Sequence, residues 1–202
     1  MADVEATGGK YIISAIEQAI EGGVSLVQLR AKKLKTHDFF ELSLKAREST
    51  KKKSIPLIIN DRVDIALSCK ADGVHLGQDD LPVFHARKIL GKKKLIGVSV
   101  NTEKEAEEAE KRGADYLGVG PIFFTQTKKD IKPPLGLEGL REIRKRVRIP
   151  ILAIGGINAE NAREIIEVGA DGIAVVSAIL ATENIIKATR ELAQSIRQRS
   201  ND

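Results

Sequence analysis

Three polar side chains alternate along Gln28-Leu29-Arg30-Ala31-Lys32 at the end of an apolar run. Alternate residues of a strand share a face, so Gln28, Arg30 and Lys32 would project together. Guanidinium and ammonium groups suit phosphate oxygens. A glutamine amide both donates and accepts, and can read the edge of a heterocycle. Pairing of the cations with internal carboxylates is the plainer alternative. Two further apolar runs lead into Asn60-Asp61 and Gly77-Gln78-Asp79-Asp80. Carboxylates at the ends of neighbouring strands can share a Mg²⁺ ion, with water and substrate phosphate completing its shell. Asp61 and Asp80 could instead cap the helices that follow them. Ser99 is a small donor near the end of LIGVSV, or a buried hydroxyl bonded to backbone. The polar stretch Thr125-Gln126-Thr127-Lys128-Lys129-Asp130 has the composition of a lid over phosphates, or of an ordinary solvated loop. Gly155-Gly156 and Val176-Ser177 close the last two runs. Paired glycines let main chain approach a ligand closely, and backbone N–H groups at such places hold phosphate. His75 lies within a strand and could face the same mouth, whereas His37 and His85 read as helix-surface residues. No zinc-ligand spacing and no Ser-His-Asp arrangement is present.

The elements that must position these groups follow from periodicity. Strands are expected at 24–30, 56–61, 73–76, 95–100, 115–122, 150–155 and 172–177. Several are apolar throughout, the pattern of strands buried on both faces of a parallel sheet. Helices are expected near 10–22, 36–53, 62–70, 80–91, 102–112, 136–147, 158–169 and 183–198. Thr102 before Glu105 has capping-box spacing, and Asn158 can cap the helix after it. The dipeptide Ala-Asp recurs at 71–72, 114–115 and 170–171, each time between a helix end and a strand. Strict alternation in one domain, 1–202, leaves a closed barrel or an open doubly wound sheet. No GxGxxG follows a first strand, which favours an α/β barrel of the TIM (β/α)8 type. Such barrels carry their chemistry at the carboxyl ends of the strands, where all the groups above fall. The tally of eight helices and seven strands implies a barrel lacking its first strand, because residues 1–9 are too polar and small for a buried one. The gap, between the 24–30 and 172–177 strands, is expected to be open, or plugged by the N-terminal segment or a neighbouring subunit.

Composition bounds the partners. The chain has 202 residues, 42% hydrophobic and 30% charged. No apolar run approaches the roughly 20 residues of a membrane span. One cysteine, Cys69, cannot form an internal disulfide, which fits a reducing cytoplasm. The net charge of +5 is spread along helices, and 2 Tyr, 5 Phe and no Trp offer few platforms for stacking bases. Small phosphorylated substrates are therefore expected rather than nucleic acid or a membrane. Self-association is left open.

Taken together, QLRAK at 28–32, ND at 60–61, GVHLGQDD at 73–80, GVS at 97–99, GPIFFTQTKKD at 120–130, IGGI at 154–157 and VVSAI at 175–179 resemble the thiamine-phosphate synthase family. The resemblance covers nearly the whole chain from about residue 8. It implies coupling of a hydroxymethylpyrimidine diphosphate to a thiazole phosphate, with Mg²⁺ and with release of diphosphate. It implies metal binding by Asp61 and Asp80. Gln28, Arg30, Lys32, Asn60, Ser99 and Lys128 would handle the pyrimidine diphosphate, Leu29, Ala31 and Gln126 would also belong to the substrate site, and Arg30, Ser99 and Lys128 would take part in catalysis. Thr125, Thr127, Gly156, Val176 and Ser177 would hold the thiazole phosphate. The related thiazole tautomerases share the fold, but carry a His where this chain has Asn101 and lack the full set of acidic and Thr/Lys motifs. A non-catalytic phosphate-binding barrel is the other alternative.

Overall fold

The computed structural model describes residues 1–7, 11–125 and 133–197. Its strands are β1 (Ala2–Asp3), β2 (Val27–Arg30), β3 (Leu57–Asn60), β4 (Gly73–Leu76), β5 (Leu95–Val100), β6 (Tyr116–Val119), β7 (Ile151–Ile154) and β8 (Gly172–Ala174). They pair in parallel and in chain order, β1 through β8, in one sheet. Between them run α1 (Ile12–Gly22), α2 (Thr36–Lys52), α3 (Val63–Ser68), α4 (Val83–Leu90), α5 (Glu103–Lys111), α6 (Gly136–Arg146) and α7 (Ala162–Glu167), followed after β8 by α8 (Ser177–Leu180) and α9 (Ile185–Arg197). The expected α/β architecture of the TIM (β/α)8 type is therefore present. Its strands are apolar on both faces because one lines the interior and the other meets the helix layer. Leu57, Ile58 and Ile59 of β3 are all at 0% exposure. No helix among the described residues is long and apolar enough to cross a membrane.

The expected absence of a first strand is corrected, while the N-terminal segment fills the gap as one of the expected alternatives had it. Ala2 pairs with Leu29 and Asp3 with Arg30, so the N-terminal segment supplies a two-residue β1 beside β2. On the far side the Met1 nitrogen donates to the Val175 carbonyl at 2.7 Å, bridging the seam toward β8. The polarity of residues 1–9 argued against burial, yet Asp3 is only 1% exposed. Its charge is neutralised by Arg30, whose Nη1 lies 2.6 Å from Asp3 Oδ2. A paired and hydrogen-bonded carboxylate can be buried where an isolated one cannot.

The recurring Ala-Asp dipeptides form latches at the amino end of the sheet. Asp72 Oδ2 accepts from Leu57 N at 2.8 Å and from Arg47 of α2 at 2.6 Å. Asp115 Oδ2 accepts from Ile96 N at 2.7 Å and from Arg87 of α4 at 2.5 Å. Asp171 Oδ2 accepts from Ile151 N at 2.8 Å and from Arg144 of α6 at 3.1 Å. Each latch joins a helix to the strand after it and to the next strand. Each also satisfies a main-chain donor that would otherwise be buried without a partner. We expect Asp115→Ala to cost about 1–3 kcal/mol and to leave turnover intact, since the latch is at the end opposite the chemistry. Thermal melting checks this: a loss of that size lowers Tm by about 2–4 °C per kcal/mol, and an unchanged Tm would contradict the role.

The capping box at the start of α5 is present, with Thr102 Oγ1 accepting from Glu105 N at 3.1 Å. The Glu105 carboxylate reaches back one residue further than expected, to Asn101 N at 2.6 Å. Asn158 caps the turn that leads into α7, its Oδ1 accepting from Glu160 N and Asn161 N.

Candidate active site

The carboxyl ends of the strands surround a cleft of about 1180 Å³. Arg30 at the end of β2 and Lys32 just after it line it, with Asn60, Asp61, Asp80, Ser99, Thr125, Gly156, Val176 and Ser177. The remaining residues of the first motif lie below it. Leu29 and Ala31 are buried in the core, which confines them to main-chain contacts with any ligand. Gln28 is hydrogen-bonded to the Tyr116 hydroxyl. Gln126, Thr127 and Lys128 lie outside the described residues.

Both readings of the cations hold in part. Arg30 Nη1 pairs with Asp3 at 2.6 Å and Glu5 at 3.3 Å, as internal pairing predicts, yet Arg30 still borders the cleft. Lys32 Nζ lies 3.1 Å from Asp61 Oδ2.

Neither Asp61 nor Asp80 caps a helix, for α3 and α4 begin without a side-chain cap. Asp61 instead sits at φ 63°, and Arg62 N donates to Asn60 O at 2.8 Å across it. This is the rarer, positive-φ γ-turn, costly backbone of a kind that clusters at functional sites. It places the carboxylate at the mouth. Asp80 Oδ2 accepts from Gly77 N at 2.6 Å, closing the turn after β4. The two carboxyls meet: the Asp61 carboxyl is held above the usual carboxylate range first by burial and then by Asp80, with Lys32 opposing. Two hard oxygen donors pushed together against their mutual repulsion fit a divalent cation such as Mg²⁺. Among the described residues there is no cluster of three His, Cys, Asp or Glu side chains. Any such ion would therefore keep coordination positions for water and phosphate.

The half of the cleft built from β6 to β8 is different in kind. It is lined by Thr125, the exposed Phe124, Gly156, Val176 and Ser177. Gly156 has φ 67°, and a Cβ there would lie 2.6 Å from the Phe124 carbonyl. The glycine is thus required by the loop after β6, whatever ligand approaches it.

Three contributors escape a reading by strand ends. Asp3 fixes Arg30. Gln78 Nε2 donates to Ser99 O at 2.6 Å and ties the loop after β4 to β5. Tyr116 is buried beneath the floor, 3.1 Å from His75 Nδ1. Glycines inside strands were the available signal for the last of these, since Gly97 and Gly118 leave room for the two rings.

A profile of the family described as "Thiamine monophosphate synthase" matches residues 2–179. The chain is 52% identical to a thiamine-phosphate synthase of Clostridium novyi over 193 residues, 96% of this chain and 95% of that protein. It is 51% identical to one of Chloroflexus aurantiacus, over 95% of this chain and 88% of that one. Among solved structures, thiamine phosphate pyrophosphorylase from Pyrococcus furiosus superposes with a TM-score of 0.84 at 43% identity, covering 91% of this chain and 88% of that one. A match this long, across a fold whose strand ends bring the motif residues to one mouth, shows that the chain belongs to the thiamine-phosphate synthase family.

Proposed function

We propose that the chain is a transferase that joins hydroxymethylpyrimidine diphosphate to thiazole phosphate, giving thiamine phosphate and free diphosphate. The observation that carries this reading is the division of one cleft into two unlike halves. Lys32, Arg30 and the Asp61–Asp80 pair suit a metal-bound diphosphate. Thr125 and the main chain at Gly156, Val176 and Ser177 suit a monophosphate.

In the proposed reaction the bond between the pyrimidine methylene carbon and the diphosphate oxygen breaks first, and diphosphate departs with the electron pair. The thiazole nitrogen then donates its lone pair to the carbocation and forms the new C–N bond. No group need remove a proton. Arg30, Lys32 and Lys128 stabilise charge gathering on the departing oxygens. Ser99 and Asn60 orient the pyrimidine. Asp61 and Asp80 would hold Mg²⁺, which supplies charge stabilisation for the leaving group when bound. The reaction is placed in the cytoplasm, in keeping with Cys69, buried and unpaired.

Steady-state kinetics with both substrates test the division. Lys128→Ala should lower kcat by about 10²-fold, the effect of deleting one electrostatic stabiliser, and change KM for thiazole phosphate little. A variant altered only in KM for thiazole phosphate would assign Lys128 to the other half and break the scheme.

A further inference from the structure

A polar chain crosses the barrel interior beneath the cleft. The Gln28 amide meets the Tyr116 hydroxyl, which lies 3.1 Å from His75 Nδ1, and His75 Nε2 lies 2.8 Å from Ser99 Oγ. Tyr116 and His75 are both 7% exposed, polar rings set among buried aliphatic side chains. The strands make room for it. A Cβ on Gly97 would fall 2.1 Å from the Tyr116 ring, and one on Gly118 2.8 Å from His75 Cε1.

Burial fixes the state of one member of the chain. Burial holds the Tyr116 hydroxyl well above the usual phenol range, so it keeps its proton. One direction of the chain turns a proton toward the cleft, and in it an N–H of the Gln28 amide donates to the Tyr116 oxygen. With its oxygen accepting from Gln28, Tyr116 gives its own O–H to His75 Nδ1. An imidazole that accepts at Nδ1 carries its proton on Nε2, and that N–H is donated to Ser99 Oγ. Ser99 also borders the cleft, and its carbonyl is held by Gln78 at 2.6 Å. Accepting from His75 on one side, the Ser99 hydroxyl turns its proton toward the cleft.

We propose that Tyr116 and His75 are positioning residues, which through this one-way chain fix the Ser99 hydroxyl as a hydrogen-bond donor to an acceptor nitrogen of the bound pyrimidine. The proposal rests on the functional reading above for the identity of that ligand, while the chain's direction does not.

Two measurements separate these parts. Imidazole ¹⁵N NMR, assigned with His37→Gln and His85→Gln at exposed positions, should show His75 protonated on Nε2 in the ligand-free parent. A proton on Nδ1 overturns the proposal whatever the enzyme makes. In turnover, Tyr116→Phe should lower kcat/KM for the pyrimidine diphosphate by about tenfold, the effect of one hydrogen bond. KM for thiazole phosphate should not change. Combined with Ser99→Ala, it should cost clearly less than the product of the two single effects, because Tyr116 acts through Ser99. Effects that multiply, or equal losses for both substrates, would make Tyr116 merely structural and overturn the proposal. A parent chain that forms no thiamine phosphate would instead overturn the functional reading, with the tautomer result still deciding the chain.

Discussion

Replacing Asp80 or Asp61 by Asn lowers kcat by about 10²–10³-fold, by analogy with the loss of a single electrostatic stabiliser, and leaves the fold in place. The two carboxyls share a site at the mouth, where burial and the neighbouring Asp80 raise the Asp61 carboxyl and Lys32 only partly opposes them. An amide at either position removes a charge that the ion and the departing diphosphate both need. The fold tolerates the change for a specific reason. An asparagine at 80 can still accept from Gly77 N, the contact that closes that turn. It also removes the Asp80 carboxylate that, after burial, helps to hold the Asp61 carboxyl above its usual range. A carboxyl with a raised folded-state pKa loses stability as pH climbs from the ordinary carboxylate range through that raised value. At neutral pH without Mg²⁺, Asp80→Asn should therefore melt no lower than the parent. Rates near the parent's at saturating Mg²⁺ in both variants would contradict the assignment.

Arg30→Ala has the largest expected effect on both stability and turnover, and a second substitution separates the two. Asp3, 1% exposed, depends on the guanidinium 2.6 Å away. Leaving a buried charge without its partner costs about 3–5 kcal/mol. Arg30→Ala/Asp3→Asn should recover most of that, because the asparagine oxygen can still accept from Glu5 N and Ala6 N, as Asp3 Oδ1 does at 3.0 and 3.2 Å. Turnover should not recover, since no guanidinium then faces the departing phosphates. Denaturant unfolding and kinetics on the same two proteins check this. A double variant as active as the parent would make Arg30 purely structural.

These cases mark what was legible in the residues. The seven longer strands and the mouth they build were readable because burial on both faces leaves continuous apolar runs, as in Leu57 to Ile59. The approach of Asp61 to Asp80 was readable because β3 and β4 are sequential neighbours. β1 was not: two residues carry no periodicity, and the burial of Asp3 depends on Arg30, 27 residues away. Arg30 itself was read as facing either phosphate or internal carboxylate, and its single guanidinium does the second while bordering the site of the first. The layer from Gln28 to Ser99 was hidden more deeply. Its members come from β2, β4, β5 and β6, and only the glycines opposite Tyr116 and His75 hint that rings must lie across them.

The most direct measurement is product analysis of the purified chain supplied with hydroxymethylpyrimidine diphosphate, thiazole phosphate and Mg²⁺. Thiamine phosphate and inorganic diphosphate should appear in equal amounts, with both substrates required, and chelation of the metal should stop their formation. Binding of both substrates with no thiamine phosphate formed, or formation untouched by chelation, would contradict the account.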